Sequence, residues 1–217
     1  IFDNWCNEAA LLLDRATAAE IDSVASEFVH AGPFFVLNLA RGNPIITETN
    51  TLQAEEEGAH YTPAPVFRSV DTWLTVAPGK PVTVAPQTKA AIRDRLLGIL
   101  FSQSVDILDR SIGEPADLDL GCRTALGFRQ GPLELMRDLG EAETRRILER
   151  LEAERPGMPM PKQPLAAYQN FWRHVLVDDV ADVKVITLRR PEAMNALHDE
   201  LTDEVLAVVR KFEANPQ

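Results

Sequence analysis

Positive charge, cysteine and aromatic side chains are all scarce in this chain. Lys and Arg total 22 against 33 Asp and Glu, a formal net charge of −11 over 217 residues. An acidic surface repels phosphate backbones, so nucleic acid is not an expected partner. Cys6 and Cys122 are the two cysteines and no CxxC occurs. That usage suits a reducing cytoplasm, and each thiol reads as a small buried hydrophobe. No apolar run approaches the ~20 residues needed to span a bilayer, so no membrane partner is expected. The first residues, Ile1 to Cys6, lack the basic n-region of a signal peptide. The sequence also lacks an initiator Met, and it opens inside a helical pattern with no N-cap before it. Both features predict a cut chain.

What is present is an ordinary globular composition, with 45% hydrophobic and 25% charged residues. A chain of this length buries roughly 70% of its unfolded surface, enough for a real core. The apolar spacing predicts helices over Phe2–Arg15, from Thr17 onward, and from Gly32-Pro33 to a closing Gly42. Thr17-Ala18-Ala19-Glu20 has the form of a capping box, in which hydroxyl and carboxylate each satisfy the other residue's backbone N–H.

The same plan returns later. A long amphipathic helix is predicted over Asp94–Arg110, a second from Glu114-Pro115, and a third from Gly131-Pro132 to Gly140. Leu13-Asp14-Arg15 aligns with Leu108-Asp109-Arg110, Glu20-Ile21-Asp22 with Asp117-Leu118-Asp119, and Gly32-Pro33 with Gly131-Pro132, at offsets of 95, 97 and 99. Three matches in one order point to a duplicated helical unit packed against itself. The predicted organisation is a first repeat over 1–43, a Pro-rich extended connector over 44–86 with a short strand at Val82–Val84, and a second repeat over 87–155. A linker over 156–170 follows, containing Pro156-Gly157-Met158-Pro159-Met160-Pro161. Beyond it, Trp172–Val177 and Val183–Leu188 read as two strands joined by a loop over 178–182, with a last helix over His198–Ala214. A hairpin and one helix are marginal as a domain, so 171–217 is expected to dock on the helices or to lack its remainder.

Two resemblances follow. Arg95-Leu96-Leu97, Pro115-Ala116-Asp117-Leu118-Asp119 and Leu126-Gly127-Phe128-Arg129-Gln130-Gly131-Pro132-Leu133-Glu134-Leu135 resemble the C-terminal domain of 3-hydroxyacyl-CoA dehydrogenases. The first copy resembles it more distantly, through Asn7-Glu8-Ala9-Ala10 and Gly32-Pro33-Phe34. Val185-Ile186-Thr187-Leu188-Arg189-Arg190-Pro191-Glu192-Ala193-Met194-Asn195-Ala196-Leu197 resembles the opening of the enoyl-CoA hydratase, or crotonase, family. The implied fold is mainly α: two tandem 6-phosphogluconate-dehydrogenase-like helical repeats, then a β-hairpin and helix from an incomplete α/β crotonase domain.

The resemblance implies a bifunctional parent, an oxidoreductase and lyase of fatty-acid β-oxidation or related acyl-CoA metabolism. Its cofactor would be NAD and its substrate an acyl-CoA thioester. This piece would supply homodimerisation and part of the acyl-CoA groove, and would be inactive alone. The Gly-x-Gly-x-x-Gly loop of a Rossmann domain is absent from the sequence. The family's catalytic His–carboxylate pair is expected in a missing Rossmann domain, and the oxyanion hole and paired glutamates in the rest of the crotonase domain. His30, His60, His174 and His198 fit neither motif and read as surface or capping residues. The family's Asn-Arg pair falls before Ile1 in the first copy and on Asp94-Arg95 in the second, which marks that copy as structural. No catalytic residue, cofactor ligand or metal ligand is therefore expected here. Glu192, Ala193 and Ala196 are carried over as CoA contacts. The competing expectation is a non-catalytic helical dimerisation or interaction module.

Overall fold

The structure, a computed structural model, describes residues 1–80 and 82–214. It divides into two compact units, Ile1–Tyr168 and Gln169–Gln217. The fold is mainly α with one small antiparallel sheet.

In the first unit, helices α1 (Phe2–Leu11), α2 (Ala18–Ala25), α3 (Pro33–Ala40) and α4 (Asn43–Glu57) form one set. Helices α5 (Pro86–Asp109), α6 (Pro115–Thr124), α7 (Pro132–Leu139) and α8 (Glu141–Glu154) repeat it. The first copy thus has a fourth helix that the sequence reading missed, whereas its counterpart α8 was read as a charged helix over Glu143–Arg155. Residues 43–57 are helix, whereas extended connector was expected from 44 onward. The reason is local composition. Thr47, Thr49 and Thr51 are weak helix formers whose hydroxyls here turn back onto carbonyls three or four residues earlier. Tertiary contacts override that propensity: Asn50 Nδ2 donates to Asn4 Oδ1 at 2.6 Å in the interior.

Gly42 also has a different part. Arg41 closes α3 in the left-handed region (φ 49°), and Gly42 is the N-cap of α4. Gly140 closes α7 as its C-cap, as expected, and is also the N-cap of α8. The capping box at Thr17 forms as expected, with Glu20 Oε2 accepting from Thr17 N at 2.8 Å. No strand forms at Val82–Val84.

Helix α5 is the axis of this unit. Leu96, Leu97, Ile99, Leu100, Phe101 and Val105 are all buried, so its apolar residues are spent inside the fold. From α1, Trp5 donates its indole N–H to Leu96 O at 3.0 Å and meets the Phe128 ring edge-on at 5.3 Å. The two copies join at an antiparallel bridge between Val29 and Phe128. His30 N donates to Gly127 O at 3.0 Å and Arg129 N to Phe28 O at 2.7 Å.

The stretches after each copy are held by matching positions on α1 and α5. Asn7 clamps 62–64, donating to Thr62 O at 3.1 Å and accepting from Ala64 N at 2.8 Å. Ser102, its counterpart at the offset of 95, donates to Pro159 O at 2.7 Å. The Pro-rich stretch near 159 is therefore laid down on the helices, with Met158 buried.

The second unit is a hairpin and a helix. Strands β1 (Val175–Val180) and β2 (Val183–Leu188) are joined by a two-residue turn, Ala181-Asp182. The expected five-residue loop is thus too long: Asp178, Asp179 and Val180 lie in β1. Helix α9 (Asp199–Ala214) covers one face of the hairpin, where Val175, Leu201 and Val208 form a small core with Val177, Ile186 and Leu188 around it. On the opposite face Leu176, Val180, Val183 and Val185 are exposed.

Candidate functional site

The residues expected to touch CoA lie on the turn between β2 and α9. Pro191–Ala193 is one turn of 3-10 helix, and Met194 and Asn195 follow in the left-handed region (φ 52° and 56°). Two consecutive left-handed residues need an internal tether, because L residues rarely adopt this conformation. Asn195 supplies one by accepting from Arg190 N at 2.6 Å. Arg190 supplies the other, its guanidinium donating to Ala196 O at 2.9 Å. Glu192 and Ala196 are exposed and Ala193 is half-buried. The turn is thus shaped by Arg190 and Asn195, while Glu192, Ala193 and Ala196 form its outer edge.

Asp94 and Arg95 sit in a buried ion network across α1, α5 and α8. Asp94 accepts two bonds from Arg146, at 2.8 and 2.9 Å, and one from Arg150 at 2.7 Å. Burial pushes its carboxyl upward, but the hydrogen bonds and charges of the two arginines outweigh that and hold it below the usual range. Arg95 bonds Glu8 at 2.8 Å and also Glu154. Glu8, fully buried, takes a second bond from Arg155 at 3.0 Å. Every charge here is answered by another protein group, so this cluster is structural cement.

A cleft lies elsewhere, in the first unit between α3, α4 and the segment 67–72. It measures about 840 Å³, within the range of small-molecule sites. Leu52, Phe67 and Val70 give it an apolar floor, and Arg41 and Arg68 give it two cations. Its wall is fixed by Asn38, which exchanges two bonds with the Trp73 backbone at 2.8 and 2.9 Å, and by Asn43, which accepts from the Trp73 indole at 2.9 Å. Glu48 and Asp71 add two carboxylates to the lining beside the two arginines. Sequence reading missed this cleft because it missed α4. The signal available was Asn43-Pro44, a helix start.

The histidines divide. His30 is exposed and His198 caps α9, its Nδ1 accepting from Leu201 N at 3.3 Å. His60 packs against the Tyr61 ring at 4.3 Å, and burial lowers its pKa. His174 departs from the expected surface or capping role, because it is buried with neither ring nitrogen hydrogen-bonded.

Residues 92–174 match the family model of the 3-hydroxyacyl-CoA dehydrogenase C-terminal domain. The second helical copy is thus similar to that domain. The match takes in most of α5 and all of α6, α7 and α8. No curated protein and no solved structure matches the chain. The dehydrogenase family is NAD-dependent in general, but the described residues do not fit that cofactor. They form no parallel strand–helix unit, and the chain has no glycine-rich loop whose N–H groups could cradle a pyrophosphate. Among the described residues no helix is long and apolar enough to cross a membrane.

Proposed function

We propose that this chain is the duplicated helical part of a bifunctional 3-hydroxyacyl-CoA dehydrogenase and enoyl-CoA hydratase of acyl-CoA metabolism, such as fatty-acid β-oxidation. The observation that carries the reading is the match over 92–174, repeated in architecture by α1 to α4. A Rossmann domain elsewhere in the parent would hold NAD. In this reading the cleft beside α4 forms part of the acyl-CoA groove, with Arg41 and Arg68 set to meet phosphate oxygens.

The hydratase half rests on the second unit. The apolar face of the hairpin that α9 does not cover suits a strand pair belonging to a larger sheet. The turn bearing Glu192, Ala193 and Ala196 would run beside CoA. Homodimerisation is part of the proposal, through the exposed apolar residues Leu39 and Ile45 of α3 and α4.

Calorimetric titration with acetoacetyl-CoA, with light scattering in parallel, tests these roles. The chain is expected to bind the thioester, to dimerise, and to form no NADH from a 3-hydroxyacyl-CoA. The full-length parent is expected to form it, and no turnover there would sink the dehydrogenase reading.

One observation favours a purely structural role, that of a helical interaction module. Asp94 stands where the family has Asn and is fully engaged by Arg146 and Arg150. Self-association with no acyl-CoA affinity would select that alternative.

A further inference from the structure

Three side chains of metal-ligand type converge inside the second unit. His174 precedes β1, His198 caps α9, and Glu200 lies in the first turn of α9. One ring nitrogen from each histidine and one carboxylate oxygen of Glu200 lie within 4.8 Å of one another. The two imidazoles meet edge to face with centroids 4.8 Å apart, and His174 Nε2 stands 3.4 Å from Glu200 Oε2. Ligand atoms on a tetrahedral zinc ion, each about 2.0–2.1 Å from the metal, are about 3.3–3.4 Å from one another. The His174–Glu200 pair already has that spacing, and a modest rotation of the more accessible His198 and Glu200 brings in the third atom.

His174 is the independent sign of a ligand. It is 7% exposed, and neither ring nitrogen has a hydrogen-bond partner. Buried polar atoms are overwhelmingly paired, and a ring orphaned on both nitrogens calls for an explanation. The Glu200 oxygen is near Nε2 but does not make a hydrogen bond to it. The backbone of His174 is held on both sides. Glu204, one turn beyond Glu200, accepts from Arg173 N at 2.8 Å and from His174 N at 2.7 Å. Arg189 N donates to His174 O at 2.7 Å. Such outer groups orient a ligand before the metal arrives.

From this geometry we infer that His174, His198 and Glu200 form a binding site for a divalent zinc ion. Two imidazoles and one carboxylate suit zinc and leave a fourth position open, whereas calcium and magnesium demand more oxygen donors. The His198 cap bond, at 3.3 Å, is long enough to be given up readily when the ring turns toward the metal. The N-terminal dipole of α9 opposes a cation, and the carboxylates of Asp199 and Glu200 offset it. The site does not rest on the dehydrogenase reading: His174 is only the last residue of the family match, and His198 and Glu200 lie beyond it.

The test uses the untagged chain, stripped with a chelator and titrated with zinc alone. Calorimetry is expected to show one zinc bound per chain, and cobalt substitution the visible absorption of a tetrahedral ion. Glu200→Gln, at a partly exposed position, is expected to keep the fold and to weaken zinc at least about tenfold. His198→Gln is expected to act likewise, with circular dichroism as the check on folding. No zinc uptake would overturn the site. So would variants that bind zinc as tightly as the native chain, or magnesium binding as tightly as zinc.

Discussion

Val29 and Phe128 pair in an antiparallel bridge, and each is the other's counterpart in the duplication. They are 99 positions apart, the same separation as Gly32 and Gly131. The flanking bonds link 28 with 129 and 30 with 127, and the offset of 99 exchanges the one pair for the other. Residues that meet their own equivalents lie on a two-fold axis, as at the interface of a symmetric dimer. Here one chain carries both halves, and the strand-like contact closes the copies on each other.

The same symmetry governs helix starts. Asp22 accepts from Phe34 N and Phe35 N at 2.9 and 2.8 Å, capping α3 from a distance. Asp119 accepts from Leu133 N at 2.7 Å and caps α7. Both carboxylates press against the N-cap glycine. A Cβ on Gly32 would come within 2.5 Å of Asp22, and one on Gly131 within 2.3 Å of Asp119. Gly131→Ala is therefore expected to destabilise by about 1–3 kcal/mol through overpacking. Asp119→Ala is expected to cost about 1 kcal/mol as a lost cap. The double variant is expected to be more stable than the sum of the two, since removing the carboxyl takes away the two contacts at 2.3 Å and leaves the Cβ of residue 119, at 2.5 Å, to shift. Urea denaturation of the four proteins checks this, and strict additivity would refute the contact.

Glu8 carries a second prediction. It is fully buried and answers both Arg95 and Arg155, with Arg95 itself only 7% exposed. Glu8→Ala leaves a guanidinium inside the fold without one of its counter-charges. The expected loss is about 3–5 kcal/mol, as for one partner removed from a buried pair. A chemical-denaturation midpoint shifted by less than about 1 kcal/mol would mean that Glu154 alone satisfies Arg95.

The parts legible in sequence were those with strong local punctuation. Thr17-Ala18-Ala19-Glu20, Gly32-Pro33 and Gly131-Pro132 each mark a helix start that the fold keeps. Helix α4 was illegible because its Thr-rich sequence speaks against helix, and only Asn43, Asn50 and their distant partners decide it. The cleft beside α4 went unseen for the same reason. Asp94 was read as structural from one substituted residue type, and it is bonded by Arg146 and Arg150. The burial of His174 was not legible, because no sequence pattern reveals that a lone histidine is buried without hydrogen bonds. In the hairpin, acidic Asp178 and Asp179 read as loop, yet they belong to β1. Asp179 finds its partner in Lys184, its cross-strand neighbour.

The cysteines offer a chemical check on the packing. Cys6 is wholly buried and Cys122 is 2% exposed. Burial raises both thiols, Cys6 with added repulsion from Asp3 and Asp22, and Cys122 to about 12 with repulsion from Asp119. Thiolate is the reactive form, so neither residue should react with Ellman's reagent in the native protein at neutral pH. Both should react on unfolding. Rapid native labelling of either would show that α1 or α6 opens readily.

Acid should release the Asp94 and Glu154 contributions together. Glu154, like Asp94, is pushed up by burial but held below its ordinary range by the stronger effect of Arg95 and Arg150. A carboxylate depressed in the folded state contributes stability that is complete above its unfolded pKa, about 3.9 for Asp and about 4.3 for Glu. That stability is lost as pH falls through the lower folded values. Asp22 runs the other way: burial raises it against the bonds from Thr75, Phe34 and Phe35, so its contribution is present at low pH and lost as pH rises through its folded value. Asp94→Asn is expected to cost about 1–2 kcal/mol at neutral pH, a figure discounted because Arg146 and Arg150 are themselves 47% and 35% exposed. The cost should shrink below about pH 4, where the carboxyl takes up its proton in the unfolded chain while native Asp94, held lower, stays ionised. Urea unfolding of both proteins across that range decides it: converging stabilities support the ion network as drawn, and parallel curves would remove Asp94 from it.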